Sequence, residues 1–198
     1  INASSLRSRL TGIGHYVRSL CNRMADYEDV TMHYFYGFRW SSKLELPPNG
    51  QHKNRGLHGV FTAIPGARRL ARAAQQLQFS WGVADAKPDV YHEPAFSPFQ
   101  FDGPTVLTIH DLSWIHFPQS HPPARVKFME RMLTHQVMRA HHLITDSEFV
   151  RNEIIRMFNV LPERVSAIHL ASDPIFYPRD TKQHLEALSS FQLNPGNY

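Results

Sequence analysis

The strongest constraint on this chain is an alternation. Stretches with apolar residues at helical spacing take turns with short β-branched or aromatic runs that stop at a polar residue. Ile13, Val17, Leu20, Cys21 and Met24 predict a helix over about residues 13–26. Val30 to Gly37 (VTMHYFYG) then reads as a strand. Ala67, Leu70, Ala71, Ala74 and Leu77 mark a second helix, and the strands DVYHEP (89–94) and TVLTIHD (105–111) follow. Met129, Leu133, Val137 and Ala140, entered after Pro122-Pro123, mark a third helix. Leu143 to Thr145 form a buried strand, Ser147 caps a helix with Glu148 in its first turn, and VSAIHLAS (165–172) is the last strand. Strand and helix in turn, with short connections, predict an α/β domain built on a doubly wound parallel sheet. Ile1 to Ser5 read as the tail of a further strand. Residues 41–59 are a long polar loop, and residues 1–176 form one domain, with 177–198 a linker leaving it.

Composition narrows the class. The 198 residues support one core, with 42% hydrophobic and 19% charged residues, an ordinary globular balance. No apolar run approaches the roughly 18 to 20 residues needed to span a bilayer, and no segment reads as a secretory signal. The net charge of +4 is scattered rather than striped, so a nucleic-acid partner is not expected. The single cysteine, Cys21, sits on the apolar face of a helix and reads as a buried small hydrophobe. One thiol and no export signal fit a reducing cytoplasm.

In a parallel sheet, ligands bind outside the carboxyl ends of the strands. That rule picks out the turn Thr11-Gly12-Ile13-Gly14, then His92-Glu93, His110-Asp111 and Asp146-Ser147, all on one rim. Gly12, Ile13 and Gly14 open a helix whose N–H groups favour an anion such as a phosphate; a tight turn that needs glycine for packing is the other reading. His110 at a strand tip can donate a hydrogen bond or titrate near neutral pH, with Asp111 orienting it or binding a hydroxyl; a satisfied structural histidine is the plainer alternative. Glu93, beside His92, can contact a sugar hydroxyl or cap a loop, and the residues alone leave both open. Arg68, Arg69 and Arg72, running on to Phe79 and Trp81, suit either an anionic membrane surface or a solvated helix packed on the sheet. No metal site is expected: His141 and His142 are adjacent and point to different faces, and no H-E-x-x-H spacing occurs.

Five stretches taken in order, TGIGHYVRSL, DVYHEPAFSPF, TVLTIHDLSWIHFPQSHP, HLITDSEFVRNEI and VSAIHLASDPIFYP, resemble the N-terminal domain of glycosyltransferase family 4. The likeness is greatest to bacterial mannosyltransferases of O-antigen and related surface polysaccharides, and it covers about residues 1–178. The resemblance implies a GT-B fold of two Rossmann-like domains facing a cleft. It implies an enzyme that moves a hexosyl group from a GDP- or UDP-linked sugar to a glycan or lipid-linked acceptor, with retention and without a metal or other cofactor. The donor-binding half would lie in a further C-terminal domain, so this stretch alone is expected to be inactive. On that resemblance Gly12, Ile13 and Gly14 lie against the donor diphosphate. His110 and Asp111 serve catalysis, and His92, Glu93 and Ser147 lie on the acceptor side. A cytoplasmic protein, peripheral on the inner face of the membrane, is the expected setting. A non-catalytic Rossmann-like module that binds an anionic ligand or a membrane surface is the competing expectation.

Overall fold

The chain begins in extended backbone and enters helix α1 at Gly12–Met24, then short strands β1 (Tyr34–Phe35) and β2 (Trp40–Ser41). Helix α2 covers Ala67–Ala86, and strands β3 (Tyr91–Glu93) and β4 (Thr105–Ile109) follow. A short helix α3 (Ser113–His116) leads to α4 (Pro123–Arg139), β5 (His142–Thr145), α5 (Glu148–Phe158) and β6 (Val165–Ala167). The computed structural model describes residues 1–46, 67–178, 188–189 and 191–193. Most of the polar loop expected at 41–59, and most of the linker expected at 177–198, therefore lie outside the described residues.

Strands β3, β4, β5 and β6 form a parallel sheet in that order. Asn2 extends it: its N–H donates to the His92 carbonyl, and it bridges in parallel to Phe35 of β1. The segment around Asn2 therefore lies between β1 and β3, as a strand tail would. The sheet is wound on both faces. Tyr34 and Tyr36 pack with Val17 and Cys21 of α1, while Phe35 between them packs with Phe79 of α2. Period-two alternation thus sends successive aromatic residues of β1 to opposite helical layers. The largest core joins Leu107, Ile109, Leu143 and Val165 of the sheet to Leu133 and Val137 of α4 and Ile154 of α5. Cys21 is buried as expected, in the cluster between α1 and β1, and burial pushes its thiol up to about 11.

Two expected strands are shorter than their composition suggests. β1 keeps only two paired residues because its inner neighbour is the brief segment at residues 1–3, whose ladder ends with Ala3 N–H donating to Phe35 O. β6 stops at Ala167 because β5 turns away after Thr145, which accepts the last bond from Ile168 N–H. Helix α3 is an addition. Asp111 Oδ1 accepts from Ser113 N–H at 2.8 Å and starts the turn, and buried Leu112 and Trp114 anchor it.

Candidate active site

Helix α1 starts at the rim. Its first intrahelical-type bond runs from His15 N–H to Thr11 O at 2.9 Å, and the Thr11 side chain makes no cap. The amides of Gly12, Ile13 and Gly14 are those that a helix start leaves without an intrahelical partner. The two glycines differ. A Cβ on Gly14 would meet Leu10 Cδ2 at 3.0 Å and Ser5 O at 3.4 Å, whereas one on Gly12 would meet nothing within 4 Å. Packing accounts for Gly14. Gly12 fronts open space.

One turn further along α1, the Tyr16 ring stands edge-on to the His110 ring, with centroids 4.9 Å apart. The glycine turn and the β4 tip therefore share one rim. His110 is braced on both nitrogens: Nδ1 lies 2.8 Å from Asp146 Oδ2, and Nε2 lies 3.0 Å from the Pro94 carbonyl. The Pro94 carbonyl can only accept, so the Nε2 contact uses a ring hydrogen. The His110 side chain keeps 13% of its surface exposed. Phe96 packs its ring 6.1 Å from that of His110 and has φ +60°, a backbone state that a bulky residue rarely takes. Such strain, of order 1–3 kcal/mol, persists where surrounding structure enforces it, often at ligand sites.

The other expected residues fall into distinct roles. His92 Nε2 bonds Thr108 Oγ1 at 2.8 Å, and Thr108 lies 3.4 Å from the Tyr16 hydroxyl, which ties β3, β4 and α1 together. Burial holds the His92 imidazole down to about 4. Glu93 is 0% exposed and accepts from Asn2 Nδ2, the Tyr91 hydroxyl and Ala95 N–H. The loop-capping role is the one its contacts describe; it reaches a ligand only through the residues it holds. Asp111 is exposed at the rim and accepts the Ser113 N–H in the turn before α3; burial pushes its carboxyl up, but hydrogen bonds from Ser113 outweigh that and hold it below the usual carboxylate range. Ser147 is the N-cap of α5, accepting from Val150 N–H at 3.3 Å.

The arginine cluster is divided. Arg69 is exposed, and the Arg68 side chain lies outside the described residues. Arg72 does not join a membrane-facing surface with them. Its Nη2 donates to the Ser97 and Pro98 carbonyls at 2.7 Å each, and its guanidinium lies 3.5 Å over the Phe99 ring. Among the described residues no three His, Cys, Asp or Glu side chains gather into a metal-ligand set.

The sequence reading put Asp146 on the rim beside Ser147 but did not pair it with His110, and that pairing could have been found. Ile109 pairs with Thr145 in the β4–β5 register, so the next residue on each strand, His110 and Asp146, must be neighbours. Tyr16 and the Pro94 carbonyl carry no comparable signal, because helix rotation and a loop carbonyl place them.

A doubly wound parallel sheet with a glycine-opened helix and a braced histidine on its carboxyl rim defines a Rossmann-like ligand-binding domain. The sequence profile of Glycosyltransferase Family 4 matches residues 10–174, and the chain belongs to that family. Its architecture is that of the N-terminal Rossmann-like domain of the GT-B fold. The chain is similar to O-antigen chain mannosyltransferase B of Escherichia coli, with 31% identity over 190 residues, covering 93% of this chain and 50% of that relative. It thus spans about half the length of the curated relative it matches.

Proposed function

We propose that this chain is the acceptor-side half of a retaining, metal-independent hexosyltransferase. The reaction moves a hexosyl group, mannosyl by likeness to the E. coli relative, from a GDP- or UDP-linked sugar to a glycan or lipid-linked acceptor. The observation that carries the reading is the shared rim, where open Gly12 and braced His110 are linked by the Tyr16 contact. Glycosyl transfer builds positive charge on the sugar ring while a diphosphate leaves, and both charges need a fixed polar environment. The free amides at Gly12 to Gly14 and the positive end of α1 suit the leaving diphosphate. His110, locked by Asp146, presents its Nε2 hydrogen to the Pro94 carbonyl, where a sugar hydroxyl can take that place as the cleft fills. Asp111, His92 and Ser147 act on the acceptor side by shaping the rim. The working site is cytoplasmic, at the inner face of the membrane.

The test uses the polypeptide that carries this chain, with GDP-mannose and UDP-hexoses as donors. His110→Ala is expected to lower turnover about 10²-fold with the fold retained. Gly12→Ala adds a methyl that meets no protein atom within 4 Å, so its unfolding midpoint holds or rises while turnover falls. Near-normal turnover in both variants removes the rim from the reaction.

A further inference from the structure

A cavity of about 230 Å³ opens between the segment at residues 2–5, the N-terminal half of α2 and the loop after β3. It shares a wall with the histidine site. Along that loop, Pro94 and Phe96 face His110, while Ala95, Ser97 and Phe99 face the cavity. The two sites are therefore separated by one bent segment, in which Phe96 takes positive φ.

The polar groups lining the cavity have unused capacity of both kinds. Ser5 Oγ is buried without a partner. The Gln75 amide makes no hydrogen bond among the described residues, so its donor and acceptor ends are open. Arg72 uses Nη2 on two loop carbonyls and keeps its Nη1 and Nε hydrogens, and the Phe99 ring fixes its plane. Behind them stands Glu93, surrounded by three donors and no acceptor. The buried Glu93 carboxylate offsets the Arg72 charge from behind the wall, so an anionic guest finds no net positive charge there. A hydroxyl gives and takes hydrogen bonds at once, which is what Ser5 and Gln75 offer. The volume lies below the roughly 300–1,000 Å³ of drug-sized pockets and suits one sugar ring rather than a nucleotide.

We infer that this cavity is an acceptor subsite that takes one neutral hexopyranose ring by its hydroxyls, through Ser5, Gln75 and Arg72. The inference rests on the glycosyl-transfer reading and names where the acceptor sugar sits. Removing an orphan hydroxyl costs the fold nothing, so Ser5→Ala is a clean probe. Binding of methyl α-mannopyranoside and methyl α-glucopyranoside to the polypeptide that carries this chain is measured by ligand-observed NMR, with inorganic phosphate as the anionic comparison. Ser5→Ala and Gln75→Ala are each expected to weaken hexoside binding by about three- to tenfold, with unchanged unfolding midpoints and a raised KM for acceptor but not for donor. Hexoside binding that is absent, or indifferent to both substitutions, overturns the subsite. So does phosphate binding that is tighter than hexoside binding and competes with it. His110→Ala separates the two readings: transfer lost with hexoside affinity kept supports both. A polypeptide that transfers no sugar yet binds hexoside in a Ser5-dependent way retains the sugar site and loses only the reaction.

Discussion

His92 shows how one residue in this site couples fold to pH. Its ring is buried against Thr108, and burial, with His110 nearby, lowers its pKa from 6.5 to about 4. Between those values the unfolded chain binds a proton that the folded chain refuses. Stability contributed by the neutral ring is therefore complete above about pH 6.5 and is lost as pH falls toward 4. The difference amounts to at most ~3 kcal/mol. His92→Gln keeps a hydrogen-bonding group toward Thr108 and cannot take up that proton. Urea unfolding at pH 4.5 and pH 7 should show the native sequence losing clearly more stability on acidification than the variant; equal losses would mean that His92 is charged in the fold. This residue was legible in sequence as a strand-tip histidine, and so was His110. What sequence could not supply was direction. Alternation puts His92 and Glu93 on opposite faces, but only the packed structure shows that the Glu93 side is sealed by Asn2 and Tyr91.

Among the elements, α2 is where pattern and packing part. Ala67, Leu70, Ala71, Ala74 and Leu77 mark the helix by their spacing. In the fold Leu70 is 75% exposed and Leu77 58%, while Phe79 is fully buried and Arg72 lies on the inward side. Both stripes have the helical period, so periodicity establishes the helix and leaves its rotation open. The aromatic stack of Phe35, Phe79 and Phe99, with rings about 5 Å apart, decides it. Trp40 joins that stack by lying across Gly82, where a Cβ would fall 2.0 Å from the indole ring. Gly82→Ala should therefore push the indole out and destabilise by about 1–3 kcal/mol, although alanine is the better helix former. Chemical denaturation with Trp fluorescence measures both effects. A stabilised variant would show that Trp40 moves aside freely. The β-strands and the Ser147 cap were readable because short local chemistry decides them; the lengths of β1 and β6 were not, because each depends on where a neighbouring strand ends.

Across the whole molecule, the turned α2 leaves a surface that the sheet does not use. Leu70, Leu77 and Trp81 recur on one helical line and are 75%, 58% and 65% exposed. With Arg72 facing inward, the described basic residue beside that line is Arg69. No helix among the described residues is long and apolar enough to cross a membrane. An amphipathic helix that lies in the headgroup layer needs neither that length nor that apolarity; it needs an apolar stripe and a nearby cation. On the proposed reading with a lipid-linked acceptor, such a contact holds the rim at the surface where the acceptor is anchored. Vesicles with anionic phosphatidylglycerol should co-sediment more of the protein than neutral phosphatidylcholine vesicles. Leu77→Glu should abolish the excess by putting charge into the apolar line, and Arg69→Ala should reduce it about fivefold, the share of one cation near an anionic surface. Equal binding to both vesicle types would assign the stripe to a protein neighbour instead, and the Arg69 substitution would then change nothing that depends on lipid charge.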